Sequence, residues 1–322
     1  MEFQSYPLQF EPILKERIWG GQKLKNVYNK PSTSKTTGES WELSAVENNV
    51  SVVANGALKG ASLAEIIESF PNELLGTAVY ERFGKQFPLL FKYLDARENL
   101  SVQVHPNDEL AMERHHSLGK TEMWYVMQAD ENAQLIVGFE HKSSSDQYIK
   151  SLKSKTILGL LHTIEPKAGD AYFLETGTVH GIGAGLVIAE IQQTSDITYR
   201  IFDYNRKDAN GNERELHVDL ALDAINYNLT DTKRDYTTHA NQSNGIVDCP
   251  YFTTNFIPLD GEAIVHTDGN SFTVYMCVDG DFEITTNGHA YQYKTGDTVL
   301  IPAAIKELHL NGKGSLLEIY IS

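Results

Sequence analysis

The sequence has little cysteine, little positive charge and no long apolar run, and each shortage removes a class of function. Two cysteines, Cys249 and Cys277, occur in 322 residues. They allow one bridge at most and form no Cys-x-x-Cys pair, so a disulfide scaffold is excluded and a reducing compartment is expected. Lysine and arginine number 27 against 43 aspartates and glutamates, a formal net charge of −16, which is the wrong sign for gripping a polyphosphate backbone. Nucleic acid is therefore not an expected partner, although a local group of basic side chains could still hold a small anion. No run of about eighteen apolar residues is present, and MEFQSYPLQFEPILKERIWGG lacks a basic segment followed by an unbroken apolar one. The expectation is a cytoplasmic chain with no membrane contact.

What is there belongs to a globular protein, with 41% hydrophobic and 22% charged residues. Short strand-like runs bounded by Gly, Asn, Asp or Pro dominate, among them LSVQVHP, EMWYVMQ, AQLIVGF, DAYFLETG, LVIAEIQQ, FTVYMCVDG and LLEIYIS. Helical patterns are few. SLAEIIESF opens with a capping box, Ser62 and Glu65, and places Leu63, Ile66, Ile67 and Phe70 at helical spacing. DQYIKSLKS and ELHVDLALDAINY carry weaker versions. A polar stretch without periodicity, from about Asn228 to Asn244, predicts a boundary between residues 1–242, with a helical segment at about 57–85, and residues 243–322.

The two parts repeat one pattern. GKTEMWYVMQAD (119–130) aligns with NSFTVYMCVDGD (270–281), and KAGDAYFLETGTVH (167–180) with KTGDTVLIPAAIKE (294–307). Strand, turn and strand followed by a Gly-Asp turn suit a small jelly roll. The predicted fold is mainly β: two cupin-like jelly-roll barrels with a small helical insertion in the first. In this alignment Glu122 falls opposite Thr273 and His180 opposite Glu307, so the first copy alone keeps metal-ligand residue types.

LSVQVHPND concentrates the chemistry. Residues two apart share a strand face, so Val102 and Val104 point one way and Ser101, Gln103 and His105 the other. Gln103, His105, Glu122 and His180 form a mixed nitrogen and oxygen set that suits zinc, with manganese, iron or cobalt as alternatives. Without thiolates, such a set points to an open catalytic site rather than a closed structural one. Spacing alone reads each histidine equally as a satisfied residue of a β-protein. Lys120 shares a face with Glu122; Lys92 interrupts the apolar run FPLLFKYLDA; Glu190 ends LVIAEIQQ; Asp196 lies four before Arg200.

RIWGG, GESWELS, FPLLFKYLDARENLSVQVHPND, GKTEMWYV, GTVHGIG and EIQQTSDITYRIFDY, in this order, resemble the motifs of the type I mannose-6-phosphate isomerases, in particular their short bacterial form. The resemblance covers most of the first 206 residues. It implies a cupin enzyme with one zinc ion per chain that interconverts mannose 6-phosphate and fructose 6-phosphate through a cis-enediol. It assigns Gln103, His105, Glu122 and His180 to the metal, Arg200, Lys120 and Glu190 to catalysis, with Glu190 as candidate base, and Ser101, Lys92 and Asp196 to substrate binding. Gly-Lys-Thr-Glu stands where longer members have His-Lys-Pro-Glu, so any proton-shuttling histidine there is absent. The rival expectations are an isomerase for another sugar phosphate and a non-catalytic sugar-phosphate-binding cupin. Either a monomer or a homodimer is compatible with the sequence.

Overall fold

The computed structural model describes residues 3–207 and 210–322. Two antiparallel sheets face each other in the first part. The larger has seven strands in the order Ile13–Gly21, Thr37–Leu43, Leu89–Ala96, Leu186–Gln193, Glu122–Ala129, Ala171–Leu174 and Lys233–Arg234. The smaller has five: Tyr199–Phe202, Val102–Val104, His180–Ile182, Leu135–Phe139 and Leu161–Ile164. Between them Leu94, Trp124 and Ile188 of the larger sheet pack on Leu135, Val137 and Ile182 of the smaller.

Strand alternation sends neighbouring residues into different cores. Every residue of Leu89–Ala96 is buried, which explains why its sequence reads as one apolar run. Phe91 and Tyr93 face the second part of the chain, whereas Leu94 faces the inner core. Burying a side chain such as Phe91 contributes roughly 1.5–3 kcal/mol. On the smaller sheet, Val102 and Val104 pack outward with Tyr148 of the helix Ser145–Lys153 and Ala221 of the helix Val218–Ala224. That leaves the opposite side of Val102–Val104 to the interior.

The second part is a six-stranded sheet in which Thr253–His266, Glu307–Tyr320 and Thr273–Thr286 are adjacent and Thr298–Ile301 pairs with Thr273–Thr286. One face, through Phe256, Val274, Met276 and Ile319, packs on Phe91, Met123 and Ile191 of the larger sheet. Its other face encloses Ile257, Tyr275, Cys277, Phe282 and Leu316.

The repeat is exact in register. Glu122 pairs with Leu174 and Tyr125 with Ala171, while their counterparts Thr273 and Met276 pair with Ile301 and Thr298. Both copies close on the same turn. Asp170 accepts from the Lys167 amide at 2.8 Å and Asp297 from the Lys294 amide at 2.9 Å. Gly169 and Gly296 supply the left-handed φ of 91° and 92° that this turn requires.

The capping box forms as expected, with the Ser62 side chain accepting from the Glu65 amide and Glu65 reaching back, and helices follow at Leu63–Ser69, Pro71–Leu75 and Thr77–Phe83. Two helices lie outside the expected segments, the single turn Lys23–Asn26 and Asp108–His115. Asp108–His115 starts where Asn107 caps the Leu110 amide, with Asp108 and Glu109 in its first turn. Only Ala111 of it is buried, so it lacks the apolar stripe that periodicity detects. Among the described residues no helix is long and apolar enough to cross a membrane.

Candidate active site

Register across the smaller sheet aligns its polar residues. Gln103 pairs with His180 on one side and with Arg200 on the other, and His105 follows as the strand ends at Pro106. Glu122 opens its strand on the facing sheet, opposite Gln192. Folding thereby brings His105, Glu122 and His180 together, fully buried, with one donor atom of each lying within 4.8 Å of the others. Glu122 Oε2 is 3.5 Å from His105 Nε2, and Oε1 is 3.3 Å from His180 Nε2.

The outer nitrogens fix the rings. His105 Nδ1 donates to the Ile197 carbonyl at 2.9 Å and His180 Nδ1 to the Thr178 carbonyl at 2.8 Å. Burial, then the nearby Lys120 and His180, push His105 well below its usual pKa, and burial likewise lowers that of His180. Two neutral imidazoles therefore present Nε2 lone pairs toward one carboxylate. Neither Glu122 oxygen, nor His180 Nε2, has a hydrogen-bond partner. Buried acceptors without donors cost roughly 1–3 kcal/mol each, and three acceptors converging on one point are what a divalent cation satisfies. The residues fit a metal. Gln103 lies beside them and lines the cavity.

A second row crosses the larger sheet. Trp41 pairs with Lys92, Lys92 with Glu190, and Glu190 with Trp124. The Lys92 ammonium donates to Glu190 Oε1 at 2.9 Å and to Gln192 Oε1 at 2.5 Å, and Trp124 Nε1 donates to Glu190 Oε2 at 3.0 Å. Burial alone would raise the Glu190 carboxyl, but Lys92 and Lys120 outweigh it and hold its pKa at about 2. Lys120 lies 3.0 Å from Glu122 Oε2, an ion pair by distance without an aligned hydrogen bond, and 3.1 Å from His105 Nε2. Burial works against its charge, yet Glu122 and Glu190 raise its pKa overall. It is held as a cation.

Gln103, Lys120, Lys92 and Glu190 of these rows line a cavity of about 340 Å³, and the buried His105 and His180 adjoin it through Lys120 and Gln103. Every residue assigned on the sequence to catalysis or substrate binding lines it: Arg200, Lys120, Glu190, Ser101, Lys92 and the exposed Asp196. The cavity also contains residues without an assignment. Arg17 Nε donates to Glu39 Oε1 at 2.7 Å, and Trp41 Nε1 to Glu39 Oε2 at 2.6 Å. Arg214 lines the mouth, anchored on Asp203. Arg17 sits in RIWGG and Glu39 and Trp41 in GESWELS, so the sequence did carry a signal for them; Arg214 lies in no motif. Charge pairing then singles out one residue. Arg17 is paired with Glu39, Lys92 with Glu190, Lys120 with Glu122 and Arg214 with Asp203. Of the lining cations, Arg200 alone has no carboxylate partner among the described residues. Its Nη1 donates to the Glu215 carbonyl at 2.8 Å, and its Nε is buried without a partner.

Comparison with known proteins follows the same lines. Residues 8–137 match the model of the phosphomannose isomerase type I catalytic domain, and residues 243–321 that of the mannose-6-phosphate isomerase cupin domain. The chain is 37% identical over 314 residues to the mannose-6-phosphate isomerase ManA of Bacillus subtilis, covering 95% of this chain and 96% of that one. It is 36% identical over 312 residues to the mannose-6-phosphate isomerase of Streptococcus mutans, with 95% of each covered. The crystal structure of the mannose 6-phosphate isomerase from Bacillus subtilis superposes with a TM-score of 0.91 at 35% identity, covering 99% of this chain and 100% of that one. With the cupin framework and more than a third of all residues shared end to end, this chain belongs to the type I phosphomannose isomerase family.

Proposed function

We propose that the protein is a metal-dependent aldose–ketose isomerase that interconverts mannose 6-phosphate and fructose 6-phosphate through a cis-enediol. The observation that carries this reading is the buried His105, Glu122 and His180 set, with unsatisfied acceptors converging beneath a cation-lined cavity. His105, Glu122 and His180 would hold the ion, with Gln103 as the further ligand assigned on the sequence. Two imidazoles, a carboxylate and an amide suit zinc. When bound, zinc supplies Lewis acidity for the sugar oxygens at C1 and C2.

The chain's own residues supply the rest. Isomerisation removes the C2 proton of the aldose and returns a proton at C1, while the proton of the C2 hydroxyl passes to the C1 oxygen, so the atoms balance with no other reactant. Negative charge develops on the enediol oxygens, and Lys120 and the unpaired Arg200 present fixed positive charge to it. Arg200 also attracts the phosphorylated substrate into an otherwise acidic protein, and the Ser101 hydroxyl lines the same cavity. Lys92 is held by Glu190 and Gln192, so its contribution to a phosphate is long-range charge. Asp196 at the cavity wall is suited to sugar hydroxyls.

A carboxylate with a pKa of about 2 is a poor proton acceptor. The geometry therefore supports Glu190 more as the countercharge that fixes Lys92 and Lys120 than as the base. An acid limb of kcat/KM in the range of about pH 6 to 7 would assign the base to another group; a profile flat down to about pH 4 would restore Glu190.

The test follows conversion of mannose 6-phosphate to fructose 6-phosphate before and after chelation and re-addition of zinc, alongside metal analysis. Loss and recovery of turnover with metal content supports the proposal. Absence of turnover in metal-loaded protein refutes it and leaves a sugar-phosphate-binding cupin.

A further inference from the structure

The second part of the chain lacks the metal-ligand residues and the cations of the first cavity but keeps its buried carboxylate with a donor on each neighbouring strand. Glu318 pairs with Tyr275 on one side and with Asn255 on the other, just as Glu190 pairs with Trp124 and Lys92. The side chains repeat the bonds as well as the register. Tyr275 Oη donates to Glu318 Oε1 at 2.9 Å and Asn255 Nδ2 to Glu318 Oε2 at 2.9 Å, where Trp124 and Lys92 donate to the two oxygens of Glu190. A third donor, Ser243 Oγ, reaches Oε2 at 2.6 Å. Thr273 stands in the place of Glu122, and Tyr320, which pairs with Thr273, in the place of Gln192.

These residues line a cleft of about 410 Å³, bounded by Ser243, Asn255, Ser271, Thr273, Glu318 and Tyr320. Its size is within the range of roughly 300–1,000 Å³ common for small-molecule sites. We infer that this cleft is a second binding site, one that takes an uncharged polyol or hexose.

Three features choose that class. No lysine or arginine lines the cleft, whereas Asp268 and Glu318 do, and its one basic group, His266, lies 3.4 Å from Glu307, so a phosphate or carboxylate would meet mainly like charge. Glu318 is itself buried and already accepts three hydrogen bonds. A carboxylate offers about four lone-pair sites, so Oε1 keeps one for a ligand hydroxyl. The remaining wall combines hydroxyls and the Asn255 amide with Val265 and His266, and the partly exposed Tyr320 ring offers an apolar face of the kind on which a sugar ring packs. Replacing Lys92 by Asn255 and Glu122 by Thr273 thus converts a charged cavity into a neutral-ligand one while keeping its central carboxylate. This inference is independent of the activity proposed for the first barrel.

Saturation-transfer NMR and calorimetry on the full, metal-loaded chain would test it, with D-mannose as the probe and mannose 6-phosphate in excess to fill the first cavity. The expected result is saturable binding of one equivalent of D-mannose in the presence of the phosphate ester. Binding should weaken at least tenfold in Glu318→Gln and in Tyr320→Ala, and stay unchanged in Arg200→Ala. Tyr320→Ala alters only a partly exposed side chain, so it reads the cleft even if Glu318→Gln unfolds. Displacement by mannose 6-phosphate, loss in Arg200→Ala, or no binding up to about 10 mM would overturn the inference. So would tenfold tighter binding of D-glucosamine, which would show that the cleft selects positive charge.

Discussion

Exchanging Lys92 and Glu190 for neutral residues, singly and together, tests the electrostatics of the catalytic floor. Lys92 and Glu190 are each within 7% exposure and 2.9 Å apart. The Glu190 carboxyl moves from an ordinary 4.5 to about 2 on folding, which at about 1.4 kcal/mol per unit places on the order of 3 kcal/mol in its charged form. The sign is fixed by the direction. A depressed carboxyl pKa stabilises the fold above its unfolded value, and that stability drains away as pH falls from about 4.5 toward about 2. Lys92→Met removes the largest influence lowering the pKa and leaves Glu190 buried with Trp124 and the more distant Lys120. Breaking one member of a buried pair costs roughly 3–5 kcal/mol. With about 2.1 cal/mol/K of unfolding entropy per residue over 322 residues, a loss of 3 kcal/mol is about 4 °C in Tm. Glu190→Gln alone should cost a similar amount by stranding the Lys92 ammonium. The double variant Lys92→Met with Glu190→Gln has no stranded charge and should recover most of it, a coupling of about 3 kcal/mol. Thermal unfolding of the four proteins at about pH 7 and about pH 4 measures both effects. The gap between parent and Lys92→Met should shrink at the lower pH. Additive single effects, or a gap constant with pH, would refute the assignment of Glu190 as a carboxylate held down by Lys92.

Chelation should lower Tm by about 4 °C if the ion is present at about a hundredfold its dissociation constant, equivalent to about 2.7 kcal/mol; zinc should restore it in the parent, and His105→Ala should show neither change nor bound metal. Arg200→Ala should keep its metal, measured by elemental analysis, and lose roughly 10²–10³ in kcat as a charge-stabilising group does. Asp203 accepts from both Arg206 and Arg214, so Asp203→Asn should release Arg214 from the cavity mouth and raise KM more than it lowers kcat, with a fall in Tm of a few degrees. Gly296→Ala places a Cβ at φ 92°, 3.1 Å from Tyr28, and should cost about 1–2 kcal/mol, measured by denaturation, with activity unchanged at low temperature.

The site was legible in the sequence wherever a local pattern carried it. LSVQVHPND showed its two faces by alternation, and the structure places the valines in an outer core and Gln103 and Ser101 on the cavity. Glu122 and His180 stood out because the repeat gave each a counterpart of a different type. What alternation could not show was which long-range partner each charged residue would meet. Lys92 and Glu190 are 98 positions apart, and Arg17, Glu39 and Trp41 join through side chains rather than spacing. Lys92 thus stood out only as a lysine inside an apolar run, whereas a carboxylate on the neighbouring strand holds it inside. The helix at Asp108–His115 escaped for the opposite reason, since its cap was written in the sequence but no buried stripe followed it.

The polar row of the second barrel shows how far a repeat can be followed. Aligning 119–130 with 270–281 already set Trp124 against Tyr275, but the carboxylates they serve lie outside the aligned segments. Register supplies the missing correspondence: Glu190 and Glu318 sit opposite those two aromatics. Both barrels therefore bury a carboxylate at one place and satisfy it from both neighbouring strands. They differ in who satisfies it. A lysine in the first barrel makes the carboxylate a fixed anion beside other charges, and the electrostatic demands then extend to Lys120 and Glu122. An asparagine, a tyrosine and a serine in the second satisfy the same group with neutral donors, so no further charge is required, and the interior beyond it closes with Ile257, Phe282 and Leu316. The exchange of Lys92 for Asn255, together with that of Glu122 for Thr273, thus separates a cavity suited to moving protons on an anionic sugar from one suited to holding a neutral molecule.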